Sequence, residues 1–478
     1  MLLATVAVAC TDGSIEPGGY FQAGQPSGGS SGGAGASAGG AAAASQGGVG
    51  AAGAPVGGGA QAGSGGNVAG TGGSAAVAVV DPSSMTGKHL FGYQGWFACP
   101  GDGGPNNRWV HWFRSNTPSA ANATFDLWPD VSELGEDELF DTNLSMQGGA
   151  PAKLFSAFKQ ATVVRHFQWM KEAGIDGVFV QRFLADVRDT NTRMARDQVL
   201  QNARAGAEQH GRVFSVMYDI SGAPEATLVA DVEAEWKYLV EELHITDSPR
   251  YLRHAGKPVL AVWGLGFSDR PGTAQQAQTL IDELKTGEHP ATLVGGVPTY
   301  WRTLAPNQDT KTDAAWAGVY RSFDVLSPWA VGRYVDDASA DAFAKAHIVP
   351  DLAELEPLGL GYMPVVFPGF SWHNLKNADP LNQIPRRGGA FYWRQVYNAA
   401  SAGSNMLYGA MFDEADEGTA FFKVVAHDTE LPAQGTFLPL SADGHALPSD
   451  WYLQLAGAAT RTLRGESALS ATLPLTPP

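Results

Sequence analysis

Four carboxylates fall within five positions of one short stretch, M-F-D-E-A-D-E-G-T: Asp413, Glu414, Asp416 and Glu417. They stand where the last of a series of apolar runs ends. Like charges crowded at the end of a buried strand repel one another and resist desolvation, so folding alone gives little reason to gather them. Two carboxyl groups sharing a cleft with split titrations supply one proton donor and one ionised base. Hydrolysis of a glycosidic bond needs that combination. A solvated acidic loop and a metal-holding loop are the two other readings of the same residues.

Within the cluster, Glu414 and Glu417 are the expected catalytic pair. Residues three apart on a continuing strand face opposite ways, but Gly418 and the polarity of D-E-A-D-E imply that the chain turns here. A turn lets both glutamates face one cleft. Asp413 is expected to point away from that cleft or into a barrel layer, and Asp416 to orient a neighbour. The eleven histidines show neither H-E-x-x-H nor H-x-H spacing, so no metal site is expected. G-x-S-x-G is absent as well, which argues against a serine esterase.

The elements that must position these groups alternate. Strands are expected at Phe91 to Phe97, Gly177 to Phe183, Val213 to Ile220, Pro258 to Leu265, Thr292 to Tyr300, Val325 to Ala330, Tyr362 to Phe367 and Met406 to Phe412. Runs such as G-V-F-V-Q-R-F are nearly continuous in apolar residues, the pattern of parallel strands covered on both faces. Helical spacing marks Lys153 to Ala173, Arg193 to His210, Leu228 to Leu243, Gln276 to Leu284 and Arg394 to Ala402, with a shorter stretch at Asp341 to His347. Asp450 is expected to cap a closing helix that bears Trp451, Leu453, Leu455 and Leu463. Eight strands with intervening helices predict an α/β fold, a single (β/α)8 TIM barrel over residues 81–478. An open doubly wound sheet is the rival, weakened because F-G-Y-Q-G-W stands where a G-x-G-x-x-G turn would be. The connection from Ala98 to about Ala152 is long for a barrel, and such loops work at the site or wrap the rim.

Barrel chemistry sits at the C-terminal strand ends. Taken in order, those ends offer Tyr93, Trp96, Gln181, Arg182, Tyr218, Asp219, Trp263, Tyr300, Trp301, Trp329, Arg333, Trp372 and His373 as substrate-binding candidates. Aromatic faces suit the C–H faces of sugar rings, and the polar groups suit hydroxyls. His373 in G-F-S-W-H-N serves equally well as a structural hydrogen-bonding residue of its loop. Cys99 reads as packing.

Residues 1–10 form an apolar, uncharged segment ending in V-A-C, a lipobox-like signal in which Cys10 would carry lipid. Residues 11–80, with no charge between Glu16 and Asp81, are expected to form a disordered Gly/Ala/Ser-rich tether. Its root-mean-square reach is about 40 Å. A cell-surface or secreted location is therefore expected, with the membrane engaged only through the lipid. The chain carries 48 acidic and 31 basic residues, a formal charge of -17, and no basic stripe, which excludes nucleic acid as an expected partner. The expectation is a monomer that takes an oligo- or polysaccharide and needs no cofactor.

G-Y-Q-G-W-F at Gly92 to Phe97, D-G-V-F-V-Q-R-F ending at Phe183, and E-A-D-E-G-T at Glu414 to Thr419 give the chain a family likeness. It resembles bacterial glycoside hydrolases of families 71 and 99, and more closely the family 99 endo-α-mannosidases and endo-α-mannanases. The resemblance implies a (β/α)8 barrel that cleaves α-mannosidic bonds with retention. It implies that the first glutamate, Glu414, deprotonates the sugar 2-hydroxyl to form an epoxide and that the second, Glu417, protonates the leaving group. The aromatic and histidine that the family places between the two are Ala415 and Asp416 here. Family 71 α-1,3-glucanases are the nearest relatives with a different linkage preference.

Overall fold

The computed structural model describes residues 79–376 and 379–477. Cys10 and the tether up to residue 78 lie outside these. Val80, expected in the tether, is buried and donates its N–H to the Gly211 carbonyl at 2.9 Å.

Eight parallel strand positions form the barrel. They are β1 Lys88–Tyr93, β2 Gly177–Phe183, β3 Val213–Asp219, β4 Lys257–Trp263, β5 Thr292–Val297, β6 Val325–Pro328, β7 in two pieces Gly361–Tyr362 and Val365–Val366, and β8 Met406–Gly409. Neighbours pair in the order β7-β6-β5-β4-β3-β2-β1-β8-β7. The split seventh strand closes the ring. Its first piece pairs with β6, Gly361 opposite Val325, and its second with β8, Val365 opposite Tyr408. Pro364 lies between the pieces and has no N–H to give, but its carbonyl still accepts from Tyr408 at 3.0 Å.

Alternation along each strand sorts side chains into two layers. Leu90, Phe179, Met217, Ala261, Val294, Val365 and Tyr408 pack inside the barrel. Phe91, Tyr93, Val180, Val216, Tyr218, Val262 and Leu407 pack outward against the helices. Those helices include Gln160–Ala173, Thr190–His210, Leu228–Glu241, Ala274–Thr286, Ala390–Ser401 and Trp451–Leu463.

The differences from the sequence reading have local causes. β1 begins and ends earlier than expected because its first residues, Lys88 and His89, are polar yet buried. Lys153 belongs to a strand, Pro151–Phe155, that pairs antiparallel with Leu139–Ser145, so the helix after it starts only at Gln160. The short stretch at Asp341 is part of a longer run, Asp337–Phe343, Ala344–Ile348 and Val349–Leu355, whose middle turn is a π-helix. The Asp450 side chain does not cap its helix. It accepts from Gln454 Nε2 at 2.8 Å instead.

The long connection after β1 builds an aromatic layer of its own. Phe97 lies 3.9 Å from Trp112 between ring centroids, Trp112 meets Phe125 edge to face, and Phe125 packs on Trp128. Bridges at Leu127 to Leu438 and Pro129 to Val424 tie it to the segment that follows the carboxylate cluster. Cys99 is buried there, its thiol donating to the Phe155 carbonyl at 3.1 Å.

Four substrate-binding candidates lie in the outer layer, away from the barrel interior. The Tyr93 hydroxyl is 2.9 Å from His166 Nδ1, and Tyr218 packs against the helices. Trp301 Nε1 donates to Asp351 at 2.9 Å. Arg182 donates to Glu235 at 3.0 Å and to Asp197 at 2.6 Å. Strand parity explains Tyr93, Arg182 and Tyr218, since each stands one position away from an inward-facing residue, whereas Trp301 lies in the turn beyond the end of β5 at Val297. Removing one partner of a buried charge network leaves the others unpaired and costs about 3–5 kcal/mol. Arg182→Ala is therefore expected to lower the urea midpoint by that equivalent; an unchanged midpoint would remove the structural assignment.

Candidate active site

The chain leaves β8 at Gly409 and turns through residues 415–418. Two contacts fix the turn. The Gly418 N–H donates to the Ala415 carbonyl at 3.3 Å, and the Ser371 N–H donates to the Glu417 carbonyl at 2.9 Å. Gly418 sits at φ +67°, and a Cβ there would fall 2.6 Å from the Ser371 nitrogen, so the backbones approach as only glycine permits. The turn gathers all four carboxyl groups below the surface. Glu414 is 1% exposed, Glu417 2% and Asp416 fully buried. The solvated-loop reading therefore fails.

Each carboxyl group has a different set of partners. Asp413 accepts the N–H groups of Gln94 at 2.7 Å and Gly95 at 2.8 Å, locking the end of β8 to the end of β1. Glu414 accepts from Gln94 Nε2 and from the Thr419 hydroxyl, both at 2.9 Å. Asp416 Oδ2 lies 2.8 Å from His111 Nδ1, while among the described residues its Oδ1 has no partner at hydrogen-bonding geometry. Glu417 Oε2 has none either.

Burial is the first cause of every shift here. It pushes Asp413 up to about 7 against its two backbone donors. It pushes Glu414 up to about 8, with the charge of Asp416 adding to it. Glu417 rises well above the carboxylate range through burial and then the charges of Glu414 and Asp416, with Lys376 opposing. At the end of β3, burial lifts Asp219 to about 6, although it accepts the Ser221 N–H at 2.7 Å.

The other candidates divide. Gln181 points inward, donating to the Tyr408 hydroxyl at 2.8 Å. Trp263 and Trp329 meet edge to face at 5.5 Å in the inner layer. Arg333 donates to Asp309 at 2.7 Å, and Tyr300, partly exposed, stands edge-on to His347 at 5.0 Å. Trp372 packs on Phe370. Trp96 has His111 stacked on it at 3.8 Å and Phe183 tilted against it at 5.8 Å, so other rings already occupy its surroundings. His373 holds its loop: its N–H donates to Asp126 at 2.8 Å, and its Nδ1 lies 2.7 Å from the Asp379 carbonyl.

Three residues beside the carboxylates escaped the sequence reading. Gln94 stands within G-Y-Q-G-W-F, and its one-residue offset from Tyr93 on β1 was the available signal. His111 and Asp126 lie in the long connection, where nothing in their spacing marks them. Asp126, fully buried, accepts the N–H groups of His373 and Asn374, each at 2.8 Å.

The architecture is thus a closed parallel eight-stranded barrel with paired carboxyl groups at the C-terminal end of its last strand. Among solved structures the chain is similar to the GH99 endo-α-mannosidase from Bacteroides thetaiotaomicron, with a TM-score of 0.59 and 13% identity, over 80% of this chain and 99% of that one. The same protein in complex with bis-tris-propane gives a TM-score of 0.57 at 14% identity over the same shares. Identity at this level establishes the shared fold. No family model and no curated protein matches the chain.

The raised carboxyl groups also set how stability depends on pH. Asp413 and Glu414 hold protons in the folded state that the unfolded chain releases near its ordinary carboxylate values. Their contribution is full below about pH 4 and is lost as pH rises through about 7 to 8. Melting temperature is therefore expected to fall between pH 5 and pH 8, and Glu414→Gln to narrow that fall by raising the value at pH 8. A variant with the wild-type slope would show that Glu414 does not change its protonation between those pH values.

Proposed function

We propose that the chain is a glycoside hydrolase acting on an α-linked, mannan-like polysaccharide or glycan, with Glu417 as general acid and Glu414 as base or nucleophile. The unequal set of partners around the two glutamates carries this reading. Glu414 has a neutral donor on each carboxylate oxygen, which favours its ionised form. Glu417 has an oxygen with no donor and feels the charge of Glu414, which favours its protonated form. The donors on Glu414 oppose the rise that burial imposes, so it ionises near pH 8 while Glu417 still holds its proton, and at that pH one site holds a base and an acid. The α-mannose preference rests on the name of the structural neighbour and on the motif resemblance. Retention, by an epoxide or by a glycosyl–enzyme ester, rests on the resemblance alone.

The deep burial of both glutamates favours one second reading, a carbohydrate-binding barrel that turns nothing over. A panel of α-mannans and α-glucans separates the two, because binding without release of reducing ends would support the silent barrel.

For the hydrolase, Glu417→Gln should lower turnover about 10²- to 10⁴-fold on substrates with poor leaving groups and much less on activated aryl glycosides. Glu414→Gln should damage both substrate types alike. The reverse leaving-group pattern would exchange the two roles. A substrate lacking its 2-hydroxyl that still turns over well would mean that Glu414 attacks C1 directly.

A further inference from the structure

The contact between His111 and Asp416 joins a loop residue to the middle of the catalytic turn, and nothing in the acid–base pair itself uses it. His111 has a left-handed backbone, φ +58°, a conformation that a non-glycine residue adopts at a cost. Its carbonyl accepts the Thr124 hydroxyl at 2.5 Å, and its ring lies flat on Trp96, 2° from parallel. These contacts aim Nδ1 at Asp416 Oδ2, 2.8 Å away.

That geometry fits three charge states: an imidazolium beside a carboxylate, a neutral imidazole donating from Nδ1 to a carboxylate, or a neutral imidazole accepting at Nδ1 from a carboxylic acid. The unpaired oxygen decides between them. Among the described residues Asp416 Oδ1 is buried with no partner at hydrogen-bonding geometry, a severe cost for an ionised carboxylate and a small one for a neutral acid. Asp413, three residues earlier, has a donor on each oxygen. The charged groups facing the pair favour the neutral state on balance, although the backbone N–H groups of Asp416 and Glu417 lie near the Asp416 carboxyl and oppose its rise. Arg196 faces His111 and disfavours an imidazolium, while Asp186 opposes it more weakly. Asp126 faces Asp416, and Asp416 in turn faces Glu414 and Glu417, so ionising it would add a further negative charge to a crowded site. Burial acts on both partners too, holding His111 down near 3 and Asp416 well above its usual range.

We propose that His111 and Asp416 form a charge-neutral positioning pair, with the Asp416 carboxylic acid donating to Nδ1 and the ring proton on Nε2. Glu414 and Glu417 then work beside a hydrogen-bonded neutral group instead of a third carboxylate. This role deepens the acid–base assignment above and rests on it, but the state of the pair can be read without any turnover.

The test has a spectroscopic arm and a kinetic arm on the full chain. In ¹⁵N-histidine-labelled protein, the His111 resonance, assigned by its loss in His111→Phe, should show Nδ1 unprotonated and the ring neutral from pH 5 to pH 8. A protonated Nδ1 would overturn the proposal whether or not the protein is an active hydrolase. In kinetics, Asp416→Ala should lower turnover about tenfold or more. Asp416→Asn, whose amide can donate to Nδ1 as the acid does, should recover most of that loss and keep the alkaline limb of the pH profile in place. An Asn variant as poor as the Ala variant, or one whose alkaline limb moves by a full pH unit, would show that Asp416 acts as a charged group.

Discussion

Two hydrogen bonds hold the site in place: the Gln94 and Gly95 N–H groups donating to the two oxygens of Asp413. They join the last barrel strand to the first just where both run out of ladder partners, satisfying backbone groups that burial would otherwise leave unpaired. They also fix the direction of everything that follows. With Asp413 turned toward β1, Glu414 is directed to Gln94 Nε2 and Thr419, and the turn at residues 415–418 brings Glu417 close enough to feel the charge of Glu414. Gly95 supports the arrangement from the other side. It has φ +56°, and a Cβ there would stand 2.4 Å from Val199.

Much of this was legible in the sequence. The apolar runs located all eight strands because parallel strands buried on both faces have a signature that survives without partners. The acidic cluster was legible because its cost is intrinsic to the residues. Side-chain direction was less so. Tyr93, Arg182 and Tyr218 occupy strand ends, as expected of site residues, but a shift of one position sends them to the helix layer, and a shift of β1 by a few residues is enough to hide that parity. His111 and Asp126 were not legible at all. Their place depends on how a long connection folds over the barrel, which is set by contacts such as Trp112 on Phe97 and Leu127 beside Leu438. Local sequence carries no record of such pairings.

The distribution of positive charge explains why the acids stay unneutralised. Arg182 is held by Asp197 and Glu235, Arg302 by Asp351, Arg333 by Asp309 and Arg464 by Asp176. Arg386, buried behind the turn, donates to the carbonyls of Gly418 and Ala420. These guanidinium groups therefore serve the frame. Glu414 is bonded instead by an amide and a hydroxyl, neutral donors that orient it without cancelling its charge.

That choice matters for a reaction passing through an oxocarbenium-like transition state. An arginine bonded to Glu414 would stabilise its ionised form more strongly, but it would also oppose positive charge developing on the sugar. Neutral donors keep the carboxylate available to stabilise that charge in a dry site, where such interactions are strongest. The cost is paid in desolvation, visible in the raised Asp413 and Glu414, and it is tolerable only because Asp416 and Glu417 remain protonated beside them. Near pH 8, an ionising Glu414 beside a still protonated Glu417 is the arrangement that reconciles a buried, stable barrel end with acid–base chemistry at one bond.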